Sequence, residues 1–422
     1  MSSSGGEPEA DRMATVVGAV GLNGQKIRFQ LLFFTQFVAA SGFIVFRNVY
    51  LEEMGLSGAE MGVIGFLMLA TGVAVQPFWG GITDYLRVER AVLVVGAVVS
   101  ALALLSYLIG DGLTNPFLVV ALGTAVFSAF RAPLIPIATG MVLSRGYAYG
   151  TIRGFGSLAF AIGSLGFGFL VAGFGIPVIV YFYLVGMAVF VAVVWSLSDT
   201  SSVANTDVDT DELSLSRAVR ALVTNRTFVV VLTVMFLLRL SFMGGEAFLS
   251  VYMRAMDVHV AIGSVSLSPD ALTGIAWAIN AGIEAVAFVY AIRLELPYKW
   301  LLVVGGTAVV IPNLVYGITT QPWAILAVQL LGGIGFALLT LAAVNLVHTV
   351  ATTQVKSSAQ TLLSGAGLGL GGAVGQLVAG VLVDAVGLQR MYVLIAAIGF
   401  VGAAVGLLIT HHGRLDGHET TV

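Results

Sequence analysis

The sequence has no cysteine among its 422 residues, which excludes disulfides and thiolate metal sites. It is also short of charge. Asp, Glu, Lys and Arg make up 10% of it and apolar residues 58%, where a soluble globular protein carries about 25% charged residues. Water cannot be the main solvent of such a chain; the hydrocarbon of a lipid bilayer can. Basic runs are missing and the net charge is −3, so nucleic-acid binding has no footing. No His/Asp/Glu spacing resembles a metal site, no nucleophile–base pattern suggests an enzyme, and no cofactor is expected. Long polar intervals between the two ends are missing as well, with one exception, Asp199 to Arg226.

What is present are apolar runs of bilayer-crossing length, six on each side of that interval. They span 27–51, 58–81, 90–110, 115–143, 150–173 and 176–197, then 227–253, 270–292, 299–318, 322–349, 358–384 and 387–410. Such runs must be helical, because hydrocarbon offers no other partner for backbone N–H and C=O groups. The expected fold is therefore an all-α membrane protein of 12 transmembrane helices in two pseudo-symmetric six-helix bundles. Residues 27–198 form the first bundle, 199–226 a central cytoplasmic linker and 227–410 the second bundle. Residues 1–26, polar and mildly acidic with no signal-peptide form, read as a disordered cytoplasmic tail, and 411–422 as a second tail.

Cations give the orientation. With the amino terminus inside, Arg47, Arg254 and Arg390 fall on the outer side, Arg131 and Arg239 fall in mid-span, and the other fourteen Lys and Arg lie inside. Both termini are thus expected in the cytoplasm, in a multi-pass protein of the cell membrane.

The halves repeat. An offset of 212 residues lays Gly62, Gly163, Gly168 and Gly175 on Gly274, Gly375, Gly380 and Gly387. Glycines in membrane helices allow close backbone approach, so the fifth and eleventh helices should pack tightly or slide. Pro133 and Pro136 break the hydrogen-bond ladder of the fourth helix, and bends of this kind commonly line a transporter cavity.

A charge in mid-bilayer costs about 2.5–3.5 kcal/mol by insertion scales, so each one needs a reason. Arg131, Arg239, Glu246 and Glu284 stand well inside spans and Arg153 about a turn inside the fifth; near-cancelling signs make pairing the economical arrangement. Either these groups clasp helices together, or they work. Glu284 and Glu246, with Arg239, would bind and release a coupling ion. Burial favours the neutral carboxyl and a nearby guanidinium the carboxylate, a competition that proton coupling can use. Arg131 and Arg153 would hold an anionic or hydroxylated solute through paired hydrogen bonds. Gln36, Asn280 and Trp277 complete the substrate-cavity candidates, Trp277 being the one deep tryptophan; Trp79, Trp195, Trp300 and Trp323 lie near span ends, as interfacial anchors do.

After the second span comes QPFWGGITDYLRVER (76–90). With twelve helices and a central loop, it resembles the major facilitator superfamily. Gly80, Asp84, Arg87 and Arg90 fit that superfamily's gating motif, which latches the cytoplasmic side and does not touch substrate. Finer similarity is to the oligosaccharide, nucleoside and phenylpropionate proton-symporter branch. It lies in YLEEMGLSGAEMGVIGF (50–66), APLIP (132–136), YGTIRGFGSLAF (149–160), GIAWAINAGIEA (274–285) and SAQ (358–360). There Arg153 matches an arginine linked to substrate binding, and Glu284 a glutamate frequent in the branch. LGGIGFALL (331–339) has neither the histidine nor the glutamate of lactose-permease-like members, and Thr139 stands where relatives often have aspartate.

The resemblance implies a secondary active transporter. It would move a small polar or anionic organic solute by alternating access as a proton-coupled symporter, working as a monomer in the lipid bilayer. An efflux protein or uncoupled facilitator is the alternative within transport, and a non-transporting membrane sensor or scaffold the alternative outside it.

Overall fold

The computed structural model describes residues 7–86, 88–147, 149–197, 222, 224–291, 294, 296–350 and 356–409. Among them stand twelve helices long and apolar enough to cross a membrane, numbered here α1 (Gly24–Glu53), α2 (Gly58–Thr83), α3 (Glu89–Gly110), α4 (Phe117–Leu143), α5 (Ile152–Phe174), α6 (Val178–Ser196), α7 (Arg226–Ala255), α8 (Pro269–Ala291), α9 (Tyr298–Ile318), α10 (Pro322–Thr349), α11 (Ala359–Val386) and α12 (Leu388–Gly406). Each agrees with its apolar run to within a few residues. Leu118, Leu122, Val185 and Val401 remain exposed on the outer surface of the bundle, as side chains facing lipid do. One short antiparallel ladder, β1 (Val260–Ile262) with β2 (Val265–Leu267), bridges α7 and α8.

One difference from expectation concerns the amino-terminal end. The helix that carries α1 begins at Glu7, so residues 7–26, expected as a disordered tail, prolong it. Once a helix is nucleated, each added residue gains a hydrogen bond at little cost. Most of the linker and the carboxy-terminal tail lie outside the described residues. After the linker, Asn225 caps α7 by accepting from the Phe228 N–H at 3.1 Å, the geometry that satisfies an otherwise orphaned donor.

The proline bend in α4 is present: one helical segment ends at Arg131 and the next starts at Leu134. Glycine has a comparable effect in α11, where Leu363–Leu370 (LSGAGLGL) winds as a π-helix. Such segments are rare and concentrate at functional sites.

The repeat of 212 residues reappears as geometry. Gly175 and Gly387 both turn the chain at φ +81°, a backbone region that costs glycine nothing and other residues much. The first six and last six helices meet mainly where α5 lies along α8 and α2 along α11. At these seams the related glycines exchange partners. A Cβ on Gly168 would stand 2.9 Å from the Gly274 Cα, and one on Gly380 would stand 2.8 Å from the Gly62 Cα. Gly62 and Gly274 are one repeat pair, Gly168 and Gly380 another; a two-fold operation maps each seam onto the other.

Candidate functional site

Call the end of the bundle where α1 starts and α12 finishes the terminal face. The opposite face is sealed. Arg254, in the last turn of α7, is ion-paired with Glu53 at the end of α1 and with Asp270 at the start of α8, its Nε 2.7 Å from Asp270 Oδ1. Asp384, near the end of α11, accepts from the backbone N–H groups of Gly58 and Ala59 at 2.7 Å each. A carboxylate there satisfies orphan donors of α2 and meets the positive end of its dipole. The glycine crossings lie just beneath, so two chemistries close this face across the two halves.

In mid-bundle the halves draw apart around a cavity of about 540 Å³. α1 contributes Gln36 and Arg47, α2 Met68, Gly72 and Gln76, and the break in α4 Ser128, Arg131 and Pro136; α7 brings Glu246, α8 Trp277 and α11 Gln376. A second cavity of about 390 Å³ shares Gln76 and Pro136 with the first and continues past Trp79, Gly80, Thr83 and Glu89 toward the terminal face. The two cavities together run from mid-bundle toward the terminal face. Local geometry explains the wall. Ser128 donates to the Met68 carbonyl and Trp79 Nε1 donates to the Ala129 carbonyl at 2.8 Å, binding α2 to α4. Pro133 then ends the helix just beyond Arg131, leaving that guanidinium at the bend.

Five polar atoms of this wall are unpartnered among the described residues. Among the described residues, both amide atoms of Gln36, Arg131 Nε, Glu246 Oε2 and Trp277 Nε1 are buried with no hydrogen-bond partner. Buried polar groups in proteins are nearly always satisfied, and five such atoms around one hollow set a demand that a polar guest can meet.

The pairing expected of the in-span charges is not what the structure shows. Among the described residues Arg131, Arg153 and Arg239 form no ion pair; the pairs present are those of Arg254 and one between His259 and Asp257. The cations lie over aromatic rings instead. Arg153 is 4.5 Å from the Phe37 centroid, Arg239 is 5.3 and 5.7 Å from Phe336 and Phe242, and Arg131 is 5.8 Å from Phe127. A ring face attracts a guanidinium through its quadrupole, and these faces, on nearby turns or packed helices, stand where no carboxylate comes within ion-pair distance among the described residues.

The sequence candidates therefore divide. Gln36, Arg131, Trp277 and Glu246 line the central cavity. Arg153, Arg239 and Glu284 stand outside its lining as a second group, in which both arginines act electrostatically on Glu284; Arg153 also donates to Ser157 Oγ at 3.2 Å. Asn280 is not in the lining: it is buried and donates to Gln329 Oε1 at 3.2 Å, and Gln329 donates to the Tyr316 hydroxyl at 2.5 Å. Of the gating motif, Gly80 lines the cavity toward the terminal face and Arg90 stands in the first turn of α3. Arg87 and the side chain of Asp84 lie outside the described residues.

Sequence reasoning missed Arg47. Read as an outer-side cation, it is only 3% exposed and reaches into the central cavity. The apolar run read from the sequence ends at 51, about one turn beyond it, whereas α1 runs on to Glu53; its depth was therefore not legible.

A profile of the MFS_1 like family matches residues 26–394, and the chain belongs to that family. The protein is a multi-pass membrane transporter of the major facilitator superfamily. It is 27% identical over 408 residues to the maltose permease of Geobacillus stearothermophilus, covering 94% of this chain and 98% of the permease. It is also 24% identical over 385 residues to YwbF of Bacillus subtilis (strain 168), an uncharacterized transporter, covering 88% and 90%. Solved structures share the fold. The nucleoside transporter NupG superposes with a TM-score of 0.77 at 16% identity, over 92% of this chain and 100% of its own. A bacterial homolog of the human lysosomal transporter Spinster, inward-facing and unoccupied, superposes with a TM-score of 0.69 at 13% identity, over 92% and 96%.

Proposed function

We propose that this protein is a secondary active transporter that carries a small polar or anionic organic solute across the cytoplasmic membrane by alternating access, in symport with protons. The observation that carries this reading is the central cavity: walls from both halves, buried polar atoms without partners, one face sealed and a path toward the other. A volume of about 540 Å³ falls within the range of small-molecule sites, and relatives named for maltose and for nucleosides support a solute of that size. The terminal face, rich in Lys and Arg, is cytoplasmic in this reading, so the structure is inward-open.

Rocking of the halves about the midplane would part the Arg254 and Asp384 contacts on the outer face. It would also close the inner path, where the motif residues Gly80, Asp84, Arg87 and Arg90 would act as the latch. Glu246 in the cavity wall and Glu284 on α8 are the carboxylates to carry the proton, each exchanging it as solvent access alternates.

The test is uptake into proteoliposomes, over maltose, nucleosides and organic acids, with and without an imposed pH gradient. Accumulation should follow the gradient. Glu284→Gln and Glu246→Gln should each be examined for loss of accumulation with exchange retained. Uptake indifferent to the gradient would make the protein a facilitator. Gradient-driven expulsion would make it an efflux protein, and no flux of any solute would remove the transport reading.

A further inference from the structure

The cavity holds a cation that its sequence did not suggest, Arg47, and the surroundings of that cation specify the solute. Arg47 Nε and Nη2 both donate to Asn48 Oδ1, at 3.0 and 2.9 Å; Nη2 also donates to Gln376 Oε1 at 2.8 Å, and Nη1 approaches Met68 Sδ at 3.0 Å. Every acceptor is neutral, and a thioether is a weak one. Arg131, on the same first-half wall, has an unpartnered Nε and no ion pair among the described residues. The carboxylate of the lining is Glu246, on the second-half wall, also with a free oxygen. Two guanidiniums against one carboxylate leave the chamber with an excess of positive charge. Charges removed from bulk water are retained at low cost only when neutralised.

We infer that Arg47 and Arg131 together form a receptor for an anionic group of the solute, a carboxylate or a phosphate, and that the Gln376 side-chain carbonyl holds that place on Arg47 while the cavity is empty. The inference rests on the transport reading and narrows its solute class from polar to anionic. Guanidinium groups suit the role because both anions accept in-plane hydrogen-bond pairs. A neutral solute would leave the excess positive charge of the chamber uncompensated. Gln376 belongs to α11 and reaches Arg47 of α1 across α2, where Gly65 makes the passage: a Cβ at that position would be 2.9 Å from the Gln376 amide carbon. The Arg47–Gln376 bond therefore ties the two halves beside the α2–α11 seam. An anion that displaces Gln376 releases that tie, linking occupancy to the outer closure.

The experiment uses the full chain in lipid nanodiscs and pairs of probes matched except for charge: glucose with glucuronate, glucose with glucose 6-phosphate, adenosine with adenosine monophosphate. The carboxylate and phosphate arms separate the two anion sources. Thermal shift and calorimetric titration should show at least one charged member binding 10-fold or more tighter than its neutral twin. Arg47→Gln should reduce that preference at least 10-fold and Arg47→Lys should recover part of it. Gln376→Glu, which sets a carboxylate permanently against the guanidinium, should block the charged probe; Gln376→Leu, which frees the receptor, should tighten its binding severalfold. Equal binding of charged and neutral twins, no binding by any charged probe, or a preference unmoved by both Arg47→Gln and Gln376→Glu overturns the assignment. Accumulation of a neutral sugar under a pH gradient would overturn it too, while leaving the transport reading intact.

Discussion

Two regions of this molecule treat the same residue type in opposite ways. At the sealed face Arg254 has two carboxylates, and Asp384 has two backbone donors on another helix. In the central cavity Arg131 has an aromatic ring, Glu246 a free oxygen and Gln36 nothing for either amide atom among the described residues. Partnered groups hold the two halves together at that face; in the transport reading the unpartnered ones are those left to meet a solute. The lesson is that in a membrane bundle the state of a charge, rather than its presence, separates structure from function.

The comparison can be broken most severely at the glycine crossings. Gly168→Leu would drive side-chain atoms into the Gly274 backbone and hold the sealed face apart; we expect transport to fall about 100-fold or more, given the several kcal/mol that overpacking costs. Because the chain has no native cysteine, a reporter in an Ile44→Cys background can be labelled without interference. In Gly168→Leu it should become reactive from the outer side. Unchanged labelling would mean that this crossing does not close the face.

Next in size, Arg131→Ala removes a charged donor from the cavity. Solute binding should weaken by about 2–3 kcal/mol, with little loss of thermal stability, because the lost cation had no ion pair. Arg254→Ala should do the reverse, lowering stability with cavity affinity preserved. Calorimetry and thermal unfolding on both variants decide; a large stability loss in Arg131→Ala would erase the distinction between the regions.

Asp384→Asn weakens a cap worth about 1 kcal/mol and should shift the balance of inward- and outward-open states about 5-fold toward outward, read by the same Ile44→Cys label. The smallest effect is expected for Asn280→Ala, which should cost about 1 kcal/mol of stability through Gln329 and leave transport in place. A collapse of transport in that variant would return Asn280 to the substrate site.

The spans, the bend after Arg131 and the repeated glycines could be read directly, since each depends on residues close together in the chain or on a fixed offset. Assigning the polar residues of α8 could not be done that way. Trp277 and Asn280 are three apart on one helix, yet Trp277 lines the gap between halves while Asn280 turns to Gln329 within its own half. Periodicity tells which residues share a face and not which neighbour the face meets. Arg47 shows the same limit along the membrane normal, since distance from a span end does not reveal that a cavity reaches it.

The amino-acid sequence by itself determined that this chain crosses a membrane twelve times in two related halves, because hydrocarbon forces each apolar segment to satisfy its own backbone as a helix. Only the tertiary structure decided which charges stand alone. That outcome depends on neighbours brought together from far along the chain, Arg47 with Gln376 at a separation of 329 residues and Gly58 with Asp384 at 326. The desolvation and pairing of a charge are properties of those meetings.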